Sequence, residues 1–326
     1  MKHLTILVPD GDGNNLSSIV GAYKIFSRAN EYRKRSGRRE VFRIQLAGTS
    51  KKVGFYDDLF SVRPHVNIAS ISKTDLVIIP SLNHNYEKAV EANGPMIRWI
   101  EKQYNKGAEV ASICTGAFLL ASCGLLSGKV CSTHWSAADE LKARFPDVNV
   151  KLDQVITDEN GIYTNGGAYS FLNLVIYLVE KFYDRETAVY CCKVFQIDMD
   201  RQSQLSFVIF KGQKRHGDEL VRQAQEYIES NPDKKISITR LSSKLAVGRR
   251  NFDRRFIKAT GDTPLEYSQR VRVESAKRAL ENSRKTVNEV MYEVGYSDAK
   301  AFRDVFRKVT GLSPLEYRSK YQKADA

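Results

Sequence analysis

The decapeptide "ASICTGAFLL" at residues 111–120 contains the side chain best suited to covalent chemistry. An apolar run typical of a buried strand stops at Cys114, and Thr115 and Gly116 then open a run typical of a helix. Several hydrolases present a nucleophile on such a sharp corner between a strand and a helix. A cysteine in that position needs a lowered pKa and a neighbouring acid or base before it can catalyse a reaction. The catalytic hypothesis therefore depends on what surrounds Cys114.

Other polar residues also follow strand-like runs. Asp10 follows the apolar run 4–8, Asp12 lies in the same Gly-rich loop, and Asn165 follows a further run. In open sheets of parallel strands, ligands bind at the carboxyl ends of the strands. The sequence therefore predicts a pocket at this edge of the sheet.

The cysteines and histidines suggest neither a disulfide framework nor a metal site. There are five cysteines, an odd number, and no pair has the CxxC spacing. The five histidines are scattered along the chain, so a zinc site is not expected. We expect reduced cysteines, no metal and no cofactor.

Strand-like and helix-like segments alternate over the first ~185 residues. Short apolar runs at 4–8, 41–48, 75–80 and 109–114 predict strands. Helical patterns follow at 16–35, 87–105, 115–123, 135–145 and 166–182. Such alternation predicts a doubly wound α/β domain with a mostly parallel sheet. From about residue 217 onward the pattern changes to helices separated by short turns, which predicts an all-α domain.

The positive charge is concentrated in the second part of the chain. The net charge is +13, and residues 212–326 hold 25 Lys and Arg against 16 Asp and Glu, which is +9 of that total. A basic domain beside a nearly neutral one indicates a polyanionic partner. No apolar run approaches the ~20 residues that span a bilayer, and the apolar stretch at the start is too short for a signal peptide. We therefore expect a cytoplasmic protein with no membrane partner.

An internal repeat carries most of the functional argument. The segment "RRNFDRRFIKATGDTPLEY" at 249–267 matches "AKAFRDVFRKVTGLSPLEY" at 299–317 with a constant offset of 50 residues. Self-similarity at one offset indicates two copies of one supersecondary unit. In the first copy Phe252 and Phe256 share a helix face and should be buried. Arg250 and Arg254 then point to solvent.

Each copy has the plan of a helix-turn-helix unit. In the first, a short amphipathic helix over 238–248 precedes a turn that contains glycine, and a second helix with a basic outer face follows. In the second, the turn lies at Gly295–Ser297 and Asp298 is placed to cap the following helix. The predicted units span about 236–261 and 286–311, and a long helix over 264–283 should hold them apart. Two such helices can enter successive major-groove segments about 34 Å apart. The alternative is a generic helical repeat with solvated arginines.

Residues ~217–322 resemble the AraC/XylS family of bacterial transcription regulators. The resemblance rests on the string "GYSD…FRDVFRKVTGLSPLEYR", which runs here from Gly295 to Arg318. It implies that base contacts lie at or near the exposed positions of the two second helices. The DNA-binding candidates are Arg249, Arg250, Asp253 and Arg254 in the first unit and Ala299, Lys300, Arg303 and Arg307 in the second.

The N-terminal part resembles the class I glutamine amidotransferase-like superfamily, which includes PfpI-type proteases and glyoxalase-type enzymes. The residues that carry this likeness are "SICTGAFLLASCGLLSGKVCSTHW" at 112–135 and "GIYTNGGAYSFLNLVIYLVE" at 161–180. The domain order resembles the GlxA-like subgroup of AraC-type regulators. PfpI-type proteases place a His directly after the cysteine, where this chain has Thr115. The acidic residue of related enzymes falls on Ser18, and His134 is displaced from the usual catalytic position, where a structural role at a helix start is favoured.

The sequence therefore predicts a pocket inherited from an enzyme fold rather than an active enzyme. The candidate ligand-pocket residues are Asp10, Ser18, Cys114, Thr115, His134 and Asn165. An inert lining role for Cys114 is favoured over a thiol-based redox sensor, and over a cysteine-dependent hydrolase or glyoxalase-like enzyme.

The resulting hypothesis is a transcription regulator, an activator controlled by a small metabolite. Residues 1–190 form the ligand-sensing and dimerisation domain, 191–216 a linker and 217–322 the DNA-binding domain. The expected partners are double-stranded promoter DNA, a small-molecule effector, RNA polymerase and a second copy of the chain.

Overall fold

The computed structural model describes residues 1–11, 15–82, 85–199, 201, 203–214, 216–234 and 236–322. The chain divides into two compact units, residues 1–204 and 205–326, called below the N-terminal and the C-terminal unit. Asp12 lies outside the described residues.

A mostly parallel seven-stranded sheet organises the N-terminal unit. The strands of the whole unit, including those outside the large sheet, are β1 (Lys2–Leu7), β2 (Phe42–Gly48), β3 (Val53–Phe55), β4 (Phe60–Val62), β5 (Val66–Asn67), β6 (Leu76–Ile79), β7 (Glu109–Ser112), β8 (Val130–Cys131), β9 (Asn149–Val150), β10 (Ile156–Glu159) and β11 (Ile162–Asn165). The large sheet has the order β10-β11-β7-β6-β1-β2-β5, and its β10–β11 pair is antiparallel. The predicted doubly wound α/β fold is confirmed.

Helices cover both faces of this sheet. They are α1 (Leu16–Arg35), α2 (Tyr86–Ala92), α3 (Gly94–Asn105), α4 (Ala117–Ser122), α5 (Ala138–Arg144), α6 (Phe171–Phe182) and α7 (Arg185–Phe195). Strand β6 is fully buried along its length, as expected for a strand with helices on both sides. The two resulting hydrophobic clusters lie on opposite faces, because alternate strand residues such as Ile78 and Ile79 belong to different clusters.

Two local predictions for this unit were wrong. The helix predicted over 87–105 is two helices separated at Asn93, since Pro95 at the start of α3 lacks the amide that would continue the first helix. The β10–β11 hairpin was missed, although Asn160 and Gly161 both have positive φ and form the Asn-Gly turn that typically joins two strands.

The C-terminal unit is helical. Its helices are α8 (Glu219–Glu229), α9 (Ile238–Lys244), α10 (Arg249–Thr260), α11 (Pro264–Asn282), α12 (Val287–Glu293), α13 (Ala299–Thr310) and α14 (Pro314–Tyr321). The first hydrophobic cluster surrounds Phe252 and Phe256, and the second surrounds Phe302 and Phe306. The long helix predicted between the two helix-turn-helix units is α11. None of the helices in the described ranges combines the length and the apolar character that crossing a bilayer requires.

The segment predicted as a linker over 191–216 differs from that expectation at both ends. Cys191 and Cys192 are buried in α7 and pack in the N-terminal core. Phe210 packs edge-on against Tyr267 of the C-terminal unit, with ring centroids 5.0 Å apart. The two compact units divide after Gln204, because apolar side chains on either side of that point are anchored in different cores.

The first helix-turn-helix turn also differs from the prediction. Helix α9 ends at Lys244, not at Gly248, and Ala246 takes the left-handed conformation with φ 52°. The corresponding residue after α12 is Gly295, with φ 76°. A β-carbon at Gly295 would lie 2.3 Å from the carbonyl oxygen of Asp233. A residue with a β-carbon is therefore tolerated in the first turn and excluded from the second.

This difference predicts opposite effects for two matched substitutions. Ala246→Gly should raise the free energy of unfolding by about 0.5–1 kcal/mol. It removes the penalty of about 1–2 kcal/mol for a left-handed residue with a β-carbon, and this outweighs the cost of about 0.5–1 kcal/mol for ordering a more flexible unfolded chain. Gly295→Ala should lower the free energy of unfolding by at least about 2 kcal/mol, from the same penalty and the clash with Asp233. The measurement is urea unfolding followed by hydrogen-exchange mass spectrometry on peptides of the C-terminal unit. A stabilising Gly295→Ala would contradict this account of the turn.

Candidate nucleic-acid interface and cysteine corner

Helices α10 and α13 turn their aromatic residues inward and their basic residues outward. Phe252, Phe256 and Phe306 are completely buried, and Phe302 is nearly so. The exposed basic candidates on the outer faces are Arg249, Arg250 and Arg254 on α10, and Lys300, Arg303 and Arg307 on α13. Asp253 and Ala299 are half-buried, and Ala299 packs against the second aromatic cluster. The outward faces can therefore meet a polyanion while the inward faces hold the unit together.

The two copies share individual contacts as well as sequence. The Thr260 and Thr310 hydroxyls donate to the carbonyl oxygens of Phe256 and Phe306, at 2.7 and 2.8 Å. Gly261 and Gly311 then end α10 and α13 in the left-handed conformation. Thr263–Glu266 and Ser313–Glu316 form capping boxes at the start of the next helices. The predicted cap of α13 by Asp298 is confirmed, since its Oδ1 accepts from the amide of Ala301 at 2.6 Å.

Acidic and amide side chains partner some of the outward arginines. Arg249 Nε lies 2.9 Å from both carboxylate oxygens of Asp253, one helical turn away. Arg254 donates to Asn251 Oδ1 at 3.1 Å. Exposed pairs of this kind contribute only about 0–1 kcal/mol. DNA phosphates and base edges can therefore replace these partners at little cost.

Helix α11 fixes the spacing of the two helix-turn-helix units. Its residues Tyr267 and Val271 belong to the first hydrophobic cluster, and Val273 and Leu280 belong to the second. Arg272 of the same helix donates to the carbonyl oxygens of Lys234 and Gly295. One continuous helix is therefore part of both cores.

The strand–helix corner predicted at Cys114 is present. Cys114 has φ 54°, in the left-handed region that L-residues rarely adopt. Gly116 packs so closely on β6 that a β-carbon there would lie 2.6 Å from the carbonyl oxygen of Pro80. The Cys114 amide donates to Asn165 Oδ1 at 2.9 Å, and the Thr133 hydroxyl donates to the Cys114 carbonyl oxygen at 3.0 Å. Strain at the corner is thus held by bonds on both sides of the residue.

The environment of the thiol keeps it protonated. Cys114 is only 3% exposed, and this burial raises the pKa of its thiol above the ordinary value. Hydrogen bonds from the Ser81 hydroxyl, from Thr115 and from the His134 amide lower the pKa only in part. The corner therefore presents a neutral thiol, not the thiolate that nucleophilic catalysis needs.

Hydrogen bonds join most of the other predicted pocket residues to the corner. Ser18 Oγ accepts from the Ser81 amide at 3.1 Å, and Ser81 Oγ lies 2.9 Å from Thr115 Oγ1. Ser18, Thr115 and Asn165 are buried. Ser18 thus contributes a buried hydroxyl group beside the corner.

Asp10 and His134 are bound to other partners. The Asp10 carboxylate accepts from the Thr49 hydroxyl, and its backbone amide donates to Asn93 Oδ1 at 2.8 Å. The His134 ring accepts from the Ser136 amide at 3.2 Å and caps a short 3₁₀ turn. His134 therefore lies at a helix start, as the structural interpretation expects, and its place in a ligand pocket stays a prediction.

Three residues near the corner were not predicted: Ser81, Thr133 and Gln204. Ser81 follows β6 just as Asp10 follows β1, so the strand pattern could have indicated it. Thr133 and Gln204 lie in segments without a periodic pattern, so the sequence held no comparable signal for them.

A cavity of about 600 Å³ lies away from the corner, beside the edge strand β10. Its lining includes Gln154, Asp158, Glu159, Met199 and Arg201. Among the described residues, no group of three or more His, Cys, Asp or Glu side chains is placed to hold a metal ion.

Comparisons with known proteins match a separate family model to each part of the chain. The DJ-1/PfpI family model matches residues 16–181, and a helix-turn-helix domain model matches residues 241–320. The transcriptional regulator GbdR of Pseudomonas aeruginosa is 23% identical over 308 residues, which cover 94% of this chain and 82% of GbdR. The regulator GlxA of Rhizobium meliloti is 24% identical over 215 residues, 65% of each chain.

A solved structure supports the fold of the N-terminal unit. The crystal structure of a ThiJ/PfpI family protein from Pseudomonas syringae matches with a TM-score of 0.51 and 17% identity. The match covers 75% of this chain and 90% of that protein. At this level of identity the likeness concerns the fold alone.

The protonated thiol predicts slow alkylation of Cys114. At pH 8 iodoacetamide should modify Cys114 in the folded protein at least about tenfold more slowly than in the same chain unfolded in urea. Because burial raises the pKa, the rate in the folded protein should increase as the pH rises above the ordinary thiol range. Peptide mass spectrometry measures each cysteine separately, and the urea-unfolded chain is the control. Rapid modification at pH 6–7 would instead reveal an activated thiolate.

Proposed function

Because this chain belongs to the DJ-1/PfpI family and is a DNA-binding transcription regulator with an AraC-type helix-turn-helix domain, we propose that a small molecule bound in its N-terminal unit controls its binding to promoter DNA. The observation that carries the proposal is the tandem arrangement of α10 and α13 around α11, each helix with a basic outer face. The N-terminal unit adds a corner built for chemistry but lacking an activated nucleophile.

The outer faces of α10 and α13 are the proposed contacts with DNA. Arg250 and Arg254, which are both exposed, would reach guanine edges, to which arginine donates two hydrogen bonds. Arg249 and Asp253 orient each other at the start of α10. On α13, Lys300, Arg303 and Arg307 would supply the charge.

The ligand site is proposed at the edge of the sheet where β1, β6, β7 and β11 end. Ser18, Thr115 and Asn165 would form its inner wall with Cys114, and Asp10 and His134 would form its rim. Differential binding to two states of the protein would change the affinity for DNA by the corresponding free energy. A cysteine-dependent enzyme is less well supported, because the Cys114 thiol is protonated and Ser18 replaces the carboxylate.

The remaining parts of the proposal concern assembly and output. A regulator of this kind would act in the cytoplasm as a homodimer formed through the N-terminal unit, and would activate transcription by contacting RNA polymerase. Dimerisation would double the DNA contacts and so raise the affinity for paired sites.

Substitution of one arginine tests the DNA interface. In the full-length protein, Arg254→Ala should weaken binding to a DNA site selected from a random library by about 1–3 kcal/mol, and should relax the base preference at one position. The measurement is fluorescence anisotropy with the selected site and its single-base variants. The control is Arg43→Ala, which removes an exposed arginine from the N-terminal sheet. Unchanged selectivity in Arg254→Ala would place the recognition face elsewhere.

A ligand screen tests the control by a small molecule. A metabolite present at 100 times its Kd should stabilise the protein by about 2.7 kcal/mol, which raises the melting temperature by several degrees. Thr115→Val should reduce this shift, because it removes the hydroxyl that lies 2.9 Å from Ser81 Oγ. Asp158→Asn alters the edge cavity instead and serves as the matched control.

The two variants separate the possible sites. A shift that is lost in Asp158→Asn and retained in Thr115→Val would place the ligand in the edge cavity. A ligand that shifts the melting temperature but leaves DNA affinity unchanged would refute the proposed control.

A further inference from the structure

Gln204, the last residue of the N-terminal unit, reaches back to the cysteine corner. Its side chain is 2% exposed, and its Nε2 donates to the carbonyl oxygen of Thr133 at 3.0 Å. The Thr133 hydroxyl in turn donates to the carbonyl oxygen of Cys114 at 3.0 Å. Two hydrogen bonds therefore connect the end of this unit to the corner.

A second connection runs through Gly166. A β-carbon at Gly166 would lie 2.1 Å from Gln204 Nε2, so the amide group of Gln204 fills the space that a side chain would need. Gly166 directly follows Asn165, whose Oδ1 accepts a hydrogen bond from the Cys114 amide. Gln204 thus touches both segments that hold the corner, and no described group donates to its buried Oε1.

The residues that follow Gln204 are bound by the C-terminal unit. We call residues 205–210 the arm. Ser206 accepts a hydrogen bond at its carbonyl oxygen from the Tyr321 hydroxyl at 3.0 Å. The carbonyl oxygen of Val208 accepts from Lys277 Nζ at 2.6 Å, and the amide of Phe210 donates to Glu274 Oε2 at 3.1 Å. Lys277 is itself only 4% exposed and pairs with Glu274 at 2.7 Å.

The arm also contacts a DNA-binding helix. Its first turn, the 3₁₀ turn Leu205–Phe207, packs against α13. Lys320 Nζ lies 4.3 Å from the centroid of the Phe207 ring. The position of the arm is therefore tied to the second recognition helix.

Only one residue separates the two sets of anchors. Gln204 is fixed in the N-terminal unit and Ser206 in the C-terminal unit, and consecutive Cα atoms are about 3.8 Å apart. A chain this short cannot absorb a displacement of Gln204 by slack. A movement of Gln204 is therefore passed on through Leu205, as a shift of the arm, a change in its contacts or a movement of the C-terminal unit as a whole.

From this arrangement we propose that Gln204 is the positioning residue that couples the cysteine corner to the DNA-binding helices. The inference rests on the proposed control by a small molecule and specifies how that control is transmitted. A ligand that shifts Thr133 or the Asn165–Gly166 segment moves the groups that hold the Gln204 side chain. The resulting displacement of Gln204 is passed to the arm. Couplings of this kind typically change affinity by about 5- to 150-fold.

The test uses the full-length protein and needs no ligand. Gly166→Ala places a methyl group 2.1 Å from Gln204 Nε2 and 2.5 Å from Ser132 Oγ, and so displaces Gln204 or the Ser132–Thr133 segment that binds it. Hydrogen-exchange mass spectrometry then reports on the amides of Val208 and Phe210, which are bonded in the arm. Gly166→Ala and Gln204→Ala should each speed their exchange about fivefold or more. The double variant should exchange no faster than Gln204→Ala alone, because both changes break one link.

Two matched variants control for general loosening. Gly94→Ala adds a methyl group whose nearest contact is an ordinary 3.6 Å to Arg98, and Gln154→Ala removes an exposed glutamine. Neither should change exchange in the arm. In all variants the amides of β1, β6 and β7 should stay protected. If Gly166→Ala loses that protection, Thr133→Val replaces it, with the same expected lack of additivity with Gln204→Ala.

The proposal is overturned if the arm exchanges as in the wild type while Gln204→Ala remains folded, or if the two substitutions act additively. Failure of the proposed function would look different, because the screen would then find no ligand that raises the melting temperature. Once a ligand is found, Gln204→Ala should retain its melting shift and lose its effect on DNA affinity. Loss of both would assign Gln204 to binding instead of coupling.

Discussion

The C-terminal unit depends on one helix that belongs to two cores. The first half of α11 packs Tyr267 and Val271 against the first aromatic pair, and the second half packs Val273 and Leu280 against the second. Close-packed interiors resist relative sliding of their parts. The two basic faces are therefore held at one separation by side-chain packing, with Arg272 adding hydrogen bonds near the junction. A flexible tether could not impose such a separation. Ordering the tether on binding DNA would also cost conformational entropy.

The N-terminal unit combines a strained backbone corner with a thiol that its surroundings keep protonated. The corner still holds Cys114 in a left-handed conformation, and Gly116 still allows the close approach to β6. The groups that hydrogen-bond to Cys114 are hydroxyls and amides, which donate and accept hydrogen bonds but do not take up a proton at neutral pH. What remains is a buried set of directional donors and acceptors. Such a set suits recognition better than turnover.

Much of this architecture could be predicted from the sequence because its signals are local or repeated. The apolar runs of β1, β6 and β7 predicted a buried parallel sheet, and the 50-residue offset predicted the two aromatic-anchored units. The failures have physical reasons. Asn93 breaks a helical pattern because Pro95 follows it, and Ala246 occupies a position where glycine is usual. Gln204 could not be predicted, because its role depends on where a segment without periodicity returns to the sheet. The Asn160–Gly161 turn, by contrast, was readable and was missed.

The two helix-turn-helix units are similar but not interchangeable. The turn after α9 spans residues 245–248, whereas the turn after α12 spans 294–298 and is one residue longer. Arg249, Arg250 and Arg254 line the outer face of α10, whereas α13 offers Lys300, Arg303 and Arg307. If both outer faces contact DNA as proposed, one end of the footprint of a single copy would differ chemically from the other, and a reversed site would present each helix with the wrong contacts.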